Sequence, residues 1–220
     1  MARILVAADI HGAAPALDGL PRAAAAARPD VVVVAGDFTQ WGRPAGFAGE
    51  LVRRLVAATG APLLAILGNH DPPGTMAEVE AAGGRSIERR VERAGGESFV
   101  GLGSRLAGRL ASTLGPGPDL VAAIEPLVEP ARTVLVPHHP PRGACDRAWF
   151  GLRGGTRALR GLVERRRPKA VLCGHIHEAR GVARLFDVLV VNPGPAFRRC
   201  YALLETTADG PWAEATLLAF

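Results

Sequence analysis

Three features of this 220-residue sequence predict an α/β fold with mostly parallel strands. Short apolar runs alternate with longer stretches of helical spacing. The runs are apolar throughout instead of every second residue, as in strands covered on both faces. Residues able to hold a metal follow one run after another, at the strand ends where open α/β sheets bind ligands.

The elements can be read in order. Ile4 to Ala8 is the first strand, and a helix follows from Ala13 to Arg28. Val31 to Ala35 is the second strand and Pro44 to Ala58 the second helix, with proline at its start where no helical N–H is needed. Leu63 to Leu67 is a third strand, followed by a helix from Met76 to Ala82. Gly101-Leu102-Gly103 begins like a dinucleotide loop, but Leu106 stands where the third glycine is needed. Pro118 to Val128 is a helix and Thr133 to Val136 a strand. The stretch Thr156 to Arg167 places Ala158, Leu159, Leu162 and Val163 on one helical face before Pro168 stops it. Ala170 to Cys173 and Val188 to Val191 are further strands. The tail, Cys200 to Thr206 and Trp212 to Phe220 around Asp209 and Gly210, reads as a hairpin. No repeat or low-complexity linker divides the chain, which implies one domain over residues 1–220.

Composition narrows the class. Hydrophobic residues at 48% and charged residues at 21% exclude a disordered or collagen-like chain, and 5% aromatics imply a core of Val, Leu, Ile and Ala. The net charge is +5, and of the 26 basic residues only Lys169 is lysine. Such a surplus suits polyanionic partners without choosing among them. Cys145, Cys173 and Cys200 are widely spaced and odd in number, which suggests neither a disulfide framework nor a cysteine zinc site. No secretory signal is evident, and no apolar run approaches the roughly 20 residues needed to span a bilayer. The expectation is a cytoplasmic enzyme or binding protein.

All six histidines, His11, His70, His138, His139, His175 and His177, lie just after predicted strands. Asp9 and His11 follow the first strand, Gly36-Asp37 the second and Gly68-Asn69-His70-Asp71 the third. His138-His139 and Gly174-His175-Ile176-His177 follow two later ones. Five strand ends thus deliver Asp, Asn and His to one crevice. Two divalent cations need a carboxylate between them and neutral imidazoles around them; Asp37 is the natural bridge. On extended backbone Asp9 and His11 would point to one side, and His175 and His177 would present their rings in parallel. Glycines 36, 68 and 174 would let backbone come close to the ions.

In this order the motifs D-x-H, G-D, G-N-H-D, H and G-H-x-H resemble the calcineurin-like metallophosphoesterases over residues 9 to 177. Asn192-Pro193-Gly194 before the strand Tyr201 to Glu205 is similar to a bacterial and archaeal phosphodiesterase-like branch. The resemblance implies a four-layer α/β/β/α sandwich of two mixed sheets flanked by helices, with two divalent ions (Mn, Fe, Zn, Co or Ni). One ion would take Asp9, His11, Asp37 and His177; the other would take Asp37, Asn69, His138 and His175. His138 is chosen over His139 because the family's ligand lies two residues before a proline, here Pro140.

The resemblance also implies hydrolysis of a phosphomonoester or phosphodiester, by in-line attack of a hydroxide bridging the ions. His70 would stand beside the leaving group as general acid or charge stabiliser. The protein Ser/Thr phosphatase branch orients this histidine with an Asp three residues after the bridging Asp; here Gln40 holds that place and Trp41 replaces the Arg after it. Gln40 or Asp71 is therefore the candidate orienter. Purple acid phosphatases are disfavoured, because the only tyrosine is Tyr201. Two alternatives are a metal-dependent nuclease, with nucleic acid as substrate, and a non-catalytic nucleic-acid-binding or scaffold protein. Their motif is Arg165-Arg166-Arg167-Pro168-Lys169, whose plainer reading is a basic helix C-terminus. Trp41, Trp149, Phe150 and Arg142 are candidates for the rim.

Overall fold

The computed structural model describes residues 1–104, 115–207 and 213–220. Two six-stranded sheets stack face to face. The first contains β1 (Ala2–Ala7), β2 (Val31–Ala35), β3 (Leu63–Ile66), β4 (Arg85–Ser86), β11 (Cys200–Thr206) and β12 (Ala213–Ala219), in the order β12-β11-β1-β2-β3-β4. The second contains β5 (Val91–Ala94), β6 (Glu97–Leu102), β7 (Thr133–Pro137), β8 (Ala170–Leu172), β9 (Gly181–Leu185) and β10 (Val188–Asn192), in the order β5-β6-β7-β8-β10-β9. The central pairings are parallel, while β11, β12, β5 and β9 pair antiparallel at the edges.

The apolar runs are explained by what covers them. Ile4, Val6, Val31, Val33, Leu64 and Ile66 face the second sheet, where Val134, Val136, Leu172 and Val191 meet them. The intervening Leu5, Val32, Val34 and Leu63 face α1 (Ala14–Ala27) and α2 (Phe47–Thr59). Leu135, Val171 and Val190 of the second sheet pack on α4 (Pro118–Ile124) and α5 (Arg157–Arg166). Both faces of each central strand are therefore apolar, and the four layers are α/β/β/α. Helix α3 (Gly74–Ala81) lies beside α2.

Helix ends follow local chemistry. Thr156 caps α5, its hydroxyl accepting from Leu159 N at 3.3 Å, an arrangement worth about 1 kcal/mol. Helix α2 starts at Phe47 and not Pro44, because Gly46 takes a left-handed conformation (φ 74°) as its N-cap. Strand β6 is not among the predicted strands, since Glu97 and Ser98 interrupt its apolar run; nor are β4, β5 and β9. The last three are short edge strands, partly exposed and charged, without the continuous apolar run that marks the centre. Gly101-Leu102 belongs to β6, where Gly101 lets Ile66 and Ile87 come close, so it forms no dinucleotide loop. The tail strands pair as expected, whereas the turn at Asp209 and Gly210 lies outside the described residues, as do Leu106 and Trp212.

The basic run is tied to neighbouring groups of the chain. Arg165 donates to both oxygens of Glu125 at 2.9 and 2.8 Å, Arg166 to Val128 O, and Arg167 to the carbonyls of Glu164 and Phe186. Lys169, 3% exposed, meets Glu97 at 2.7 Å and donates to Thr207 O at 2.6 Å, while Glu97 also accepts from the Thr206 hydroxyl. This network joins the N-terminal ends of the parallel strands, at the opposite end from the histidines. No helix among the described residues is long and apolar enough to cross a membrane.

Candidate metal centre

The chain leaves β1, β2, β3, β7 and β8 at one end of the sandwich, and the five polar clusters converge there. The local backbone is not the extended one anticipated for D-x-H. Asp9, His11, Asp37 and His175 all adopt left-handed conformations, with φ of 53°, 48°, 55° and 68°. Such residues cost roughly 1–2 kcal/mol each outside glycine, which the surrounding hydrogen bonds must offset. Asp9 N donates to Gly36 O, and both Ile10 N and His11 N donate to Asp37 O, so the first two loops are laced together.

The carboxylates are held by backbone donors. Asp37 Oδ1 accepts from His70 N at 2.7 Å, and the Asp9 oxygens accept from His175 N at 3.1 and 3.0 Å. Two of the glycines serve these carboxylates and not an ion directly. A Cβ on Gly68 would lie 2.1 Å from Asp37 Oδ1, and one on Gly174 2.6 Å from Asp9 Oδ2.

Asp37 Oδ2 stands between two imidazoles, 3.6 Å from His11 Nε2 and 3.4 Å from His138 Nε2. On the His11 side, His177 Nε2 lies 3.3 Å from His11 Nε2 and 3.5 Å from Asp9 Oδ1. On the other side, Asn69 Oδ1 lies 3.1 Å from His138 Nε2 and 2.8 Å from His175 Nδ1. His175 and His177 therefore diverge to opposite halves of the cluster, because His175 is left-handed while His177 opens a 3₁₀ turn. His138 Nδ1 lies 2.7 Å from Ala35 O, a carbonyl that can only accept, so Nε2 is the nitrogen turned to the crevice. His139 instead hydrogen-bonds Ser104 through Nδ1 and stacks on His175 at 3.8 Å.

Electrostatics follow from burial and these neighbours. Burial opposes ionisation of Asp37, yet the charge of and hydrogen bond to His138, with His11 and the His70 N–H, hold its carboxyl below the usual range. Burial likewise opposes protonation of His138, and the Asp37 charge and hydrogen bond, with Asp9, overcome it and push the imidazole up to about 9. Burial, aided by His139 and His138, keeps His175 well below the ordinary histidine value. Burial also lowers His11 and His70, whereas Asp9 outweighs it and raises His177.

The donor set fits cations. Imidazole nitrogens facing each other at 3.3 Å share at most one hydrogen bond, and their remaining lone pairs converge with those of Asp9 and Asp37. The trios Asp9, His11, His177 and Asp9, Asp37, His138 each bring three ligand atoms within 4.8 Å of one another. Buried His11 Nδ1 and His70 Nδ1 have no hydrogen-bond partner.

The residues expected to orient His70 do not do so. Asp71 Oδ2 accepts from Phe38 N and Gly68 N at 3.1 and 3.0 Å, while Oδ1 accepts from Thr39 N and Oγ1 at 2.9 and 3.0 Å. Asp71 thus clamps the loops after β2 and β3. Burial, then the nearby Asp37, push its carboxyl up to about 6 against these donors. Gln40 is exposed, and its backbone closes a turn with Arg43. His70 instead lies 4.2 Å from the Trp41 ring and 4.8 Å, edge-on, from His11. Of the other rim candidates, Trp149 is 66% exposed, Arg142 lies in the loop that pairs with Thr156, and the Phe150 side chain is outside the described residues.

Asn192 is a supporting residue whose role the sequence did not show. It is fully buried; its amide donates to Ile176 O at 2.9 Å and its oxygen accepts from Gly194 N at 2.9 Å. It braces the loop carrying His175 and His177, and the Asn192-Pro193-Gly194 signal was its trace.

Comparisons with known proteins show the family and the fold. The family model described as calcineurin-like phosphoesterase matches residues 2–179. A Synechococcus protein named a probable cyclic nucleotide phosphodiesterase is 30% identical over 200 residues, covering 84% of this chain and 74% of that one. The solved structure of a Thermus thermophilus protein superposes with a TM-score of 0.72 at 19% identity, covering 98% of each chain. A dimetal phosphatase from Danio rerio superposes with a TM-score of 0.67 at 13% identity, covering 99% of this chain and 98% of its own. The matched span contains every strand end that feeds the cluster, and the chain belongs to the calcineurin-like phosphoesterase family, whose members hydrolyse phosphate esters.

Proposed function

We propose that the crevice holds two divalent cations and hydrolyses a phosphate ester by in-line displacement. The observation that carries this reading is Asp37 Oδ2, placed between His11 and His138 with a separate set of donors on each side. Asp9, His11, Asp37 and His177 would hold one ion; Asp37, Asn69, His138 and His175 would hold the other. When bound, the cations would supply Lewis-acid charge for the phosphoryl oxygens and lower the pKa of water.

The chain's own residues do the rest. Asp37 and Asp9 are fixed by N–H donors, so the negative charge needed to retain cations is already in place. His138 is held in one tautomer by Ala35 O, and a cation at Nε2 must displace the proton its raised pKa favours there. His70 lies beside this donor set with its ring against His11, and serves as general acid or charge stabiliser at the leaving oxygen. Asp71 acts at one remove, by fixing Thr39 and Gly68 on either side of Asp37.

The Synechococcus relative's name makes cyclic nucleotides the first diester to try. The test is a panel of phosphomonoesters, diesters, cyclic nucleotides and DNA, offered to metal-depleted protein with Mn, Fe, Zn, Co or Ni. Hydrolysis of at least one ester is expected only with metal, with two ions per chain by elemental analysis. One ion per chain at full activity, or no hydrolysis with any pairing, would overturn the reading.

A further inference from the structure

His139 follows a candidate ligand directly, yet its ring is engaged elsewhere. Fully buried, it is joined through Nδ1 to the Ser104 hydroxyl by a hydrogen bond of 2.5 Å. Ser104 is itself fully buried, and its N–H donates to Leu67 O at 3.0 Å. The His139 ring lies 3.8 Å from that of His175, centroid to centroid, with 37° between their planes. Gly115 (φ 88°) approaches the same ring so closely that a Cβ there would lie 2.9 Å from His139 Cδ2.

These contacts join three strand ends. Leu67 leads through Gly68 to Asn69 after β3, His139 follows His138 after β7, and His175 comes just after β8. Asn69, His138 and His175 are the three residues assigned to one ion alone, here called the second. The half of the crevice formed by Asp9, His11 and His177 has a different neighbour. Phe197 lies there, its ring T-shaped to His11 and His177 at 5.6 and 5.1 Å. The torsion that turns an aromatic ring about Cβ–Cγ has broad wells, and a phenyl ring has no polar atom with which to narrow them. The hydrogen bond at His139 Nδ1 does narrow them.

We propose that Ser104 and His139 form a tether that raises the affinity of the second ion alone, by fixing the plane of the His175 ring with Nδ1 turned to Asn69 Oδ1 at 2.8 Å. This rests on the reading of the crevice as a two-ion centre. Both are positioning residues, which act through His175 and through the strand end that carries Asn69. A ligand ring already oriented loses less freedom when the metal arrives. Partners that hold a ligand in this way are worth roughly tenfold to a hundredfold in metal affinity.

The test titrates metal-depleted wild type, Ser104→Ala, His139→Ala and His139→Phe with Mn by calorimetry, resolving two successive affinities, and follows denaturant unfolding of the same proteins. In His139→Ala one affinity should weaken roughly tenfold to a hundredfold while the other stays at its wild-type value. Ser104→Ala should weaken the same affinity, by roughly tenfold. His139→Phe keeps a ring without its hydrogen bond, and should match Ser104→Ala instead of wild type. Combined with His177→Ala, which removes a donor of the other half, Ser104→Ala should still act in full on the ion that remains. A purely structural role would lower the unfolding midpoint and weaken both ions alike. Equal losses at both ions, wild-type affinities in His139→Phe, or no loss in Ser104→Ala would each overturn the tether. A wild type that binds one ion overturns the two-ion reading and the tether with it, whereas two ions in the wild type, weakened equally by the variants, overturn the tether alone.

Discussion

Two buried polar clusters lie at opposite ends of the same sandwich and treat charge in opposite ways. At the N-terminal ends of the parallel strands, Lys169 and Glu97 answer each other, and Thr206 and Thr207 complete their hydrogen bonds. At the C-terminal ends, Asp9, Asp37 and four imidazoles are brought together with more lone pairs than protons, and two ring nitrogens lack any partner. Burying a charge is tolerable only when something answers it. Where the chain supplies the answer, the cluster is part of the scaffold. Where it does not, the cluster is completed by what binds there.

Substitutions at each end sharpen this contrast. The largest effect is expected for Asp37→Asn, which removes the carboxylate between His11 and His138. Activity should fall by more than the roughly hundredfold typical of losing an outer partner, and bound metal should drop in elemental analysis. Retention of bound metal and of activity would break the comparison.

Lys169→Met should do the reverse. Leaving Glu97 buried and unpaired should cost about 3–5 kcal/mol in denaturant unfolding, with metal affinity of the folded protein retained. The double variant Lys169→Met, Glu97→Leu should regain most of that loss, since an apolar pair of similar volume needs no counter-charge. If the double variant were as unstable as the single one, the network would owe its value to something other than mutual neutralisation.

Asn192→Ala probes the boundary between the two kinds of cluster. Its amide is satisfied within the chain, yet what it braces is the loop carrying His175 and His177. Metal affinity should weaken roughly tenfold to a hundredfold. Stability should fall by only about 1–3 kcal/mol, the cost of a buried hydrogen-bond partner left unmet. A titration showing unaltered metal affinity would place Asn192 with the scaffold.

Much of this was legible in the sequence because it depends on local pattern. Val31 to Ala35 coincides with β2, since a run covered on both faces announces itself by having no polar residue. The residues at the five strand ends were legible for the same reason, each following a run whose direction sets which end of the sheet it reaches. Edge strands β5 and β9 were not, because one face meets water and their charged residues resemble loop. The partners of His70 were misjudged. Asp71 is its neighbour in sequence, but both carboxylate oxygens turn to N–H groups across a loop junction that sequence spacing does not describe.

By itself, then, the sequence determined the α/β class and the identity of the converging Asp, Asn and His residues, because strand periodicity and motif order are properties of the chain, while the four layers were implied only by the family resemblance those motifs carry. Tertiary structure alone decided how they converge. The left-handed turns at Asp9, His11, Asp37 and His175 replace the extended backbone that would have set paired rings side by side, and so send His175 and His177 to different halves of the cluster. It also decided that Trp41, and neither Gln40 nor Asp71, lies against His70, because that contact joins loops after two different strands whose separation in space no local pattern encodes.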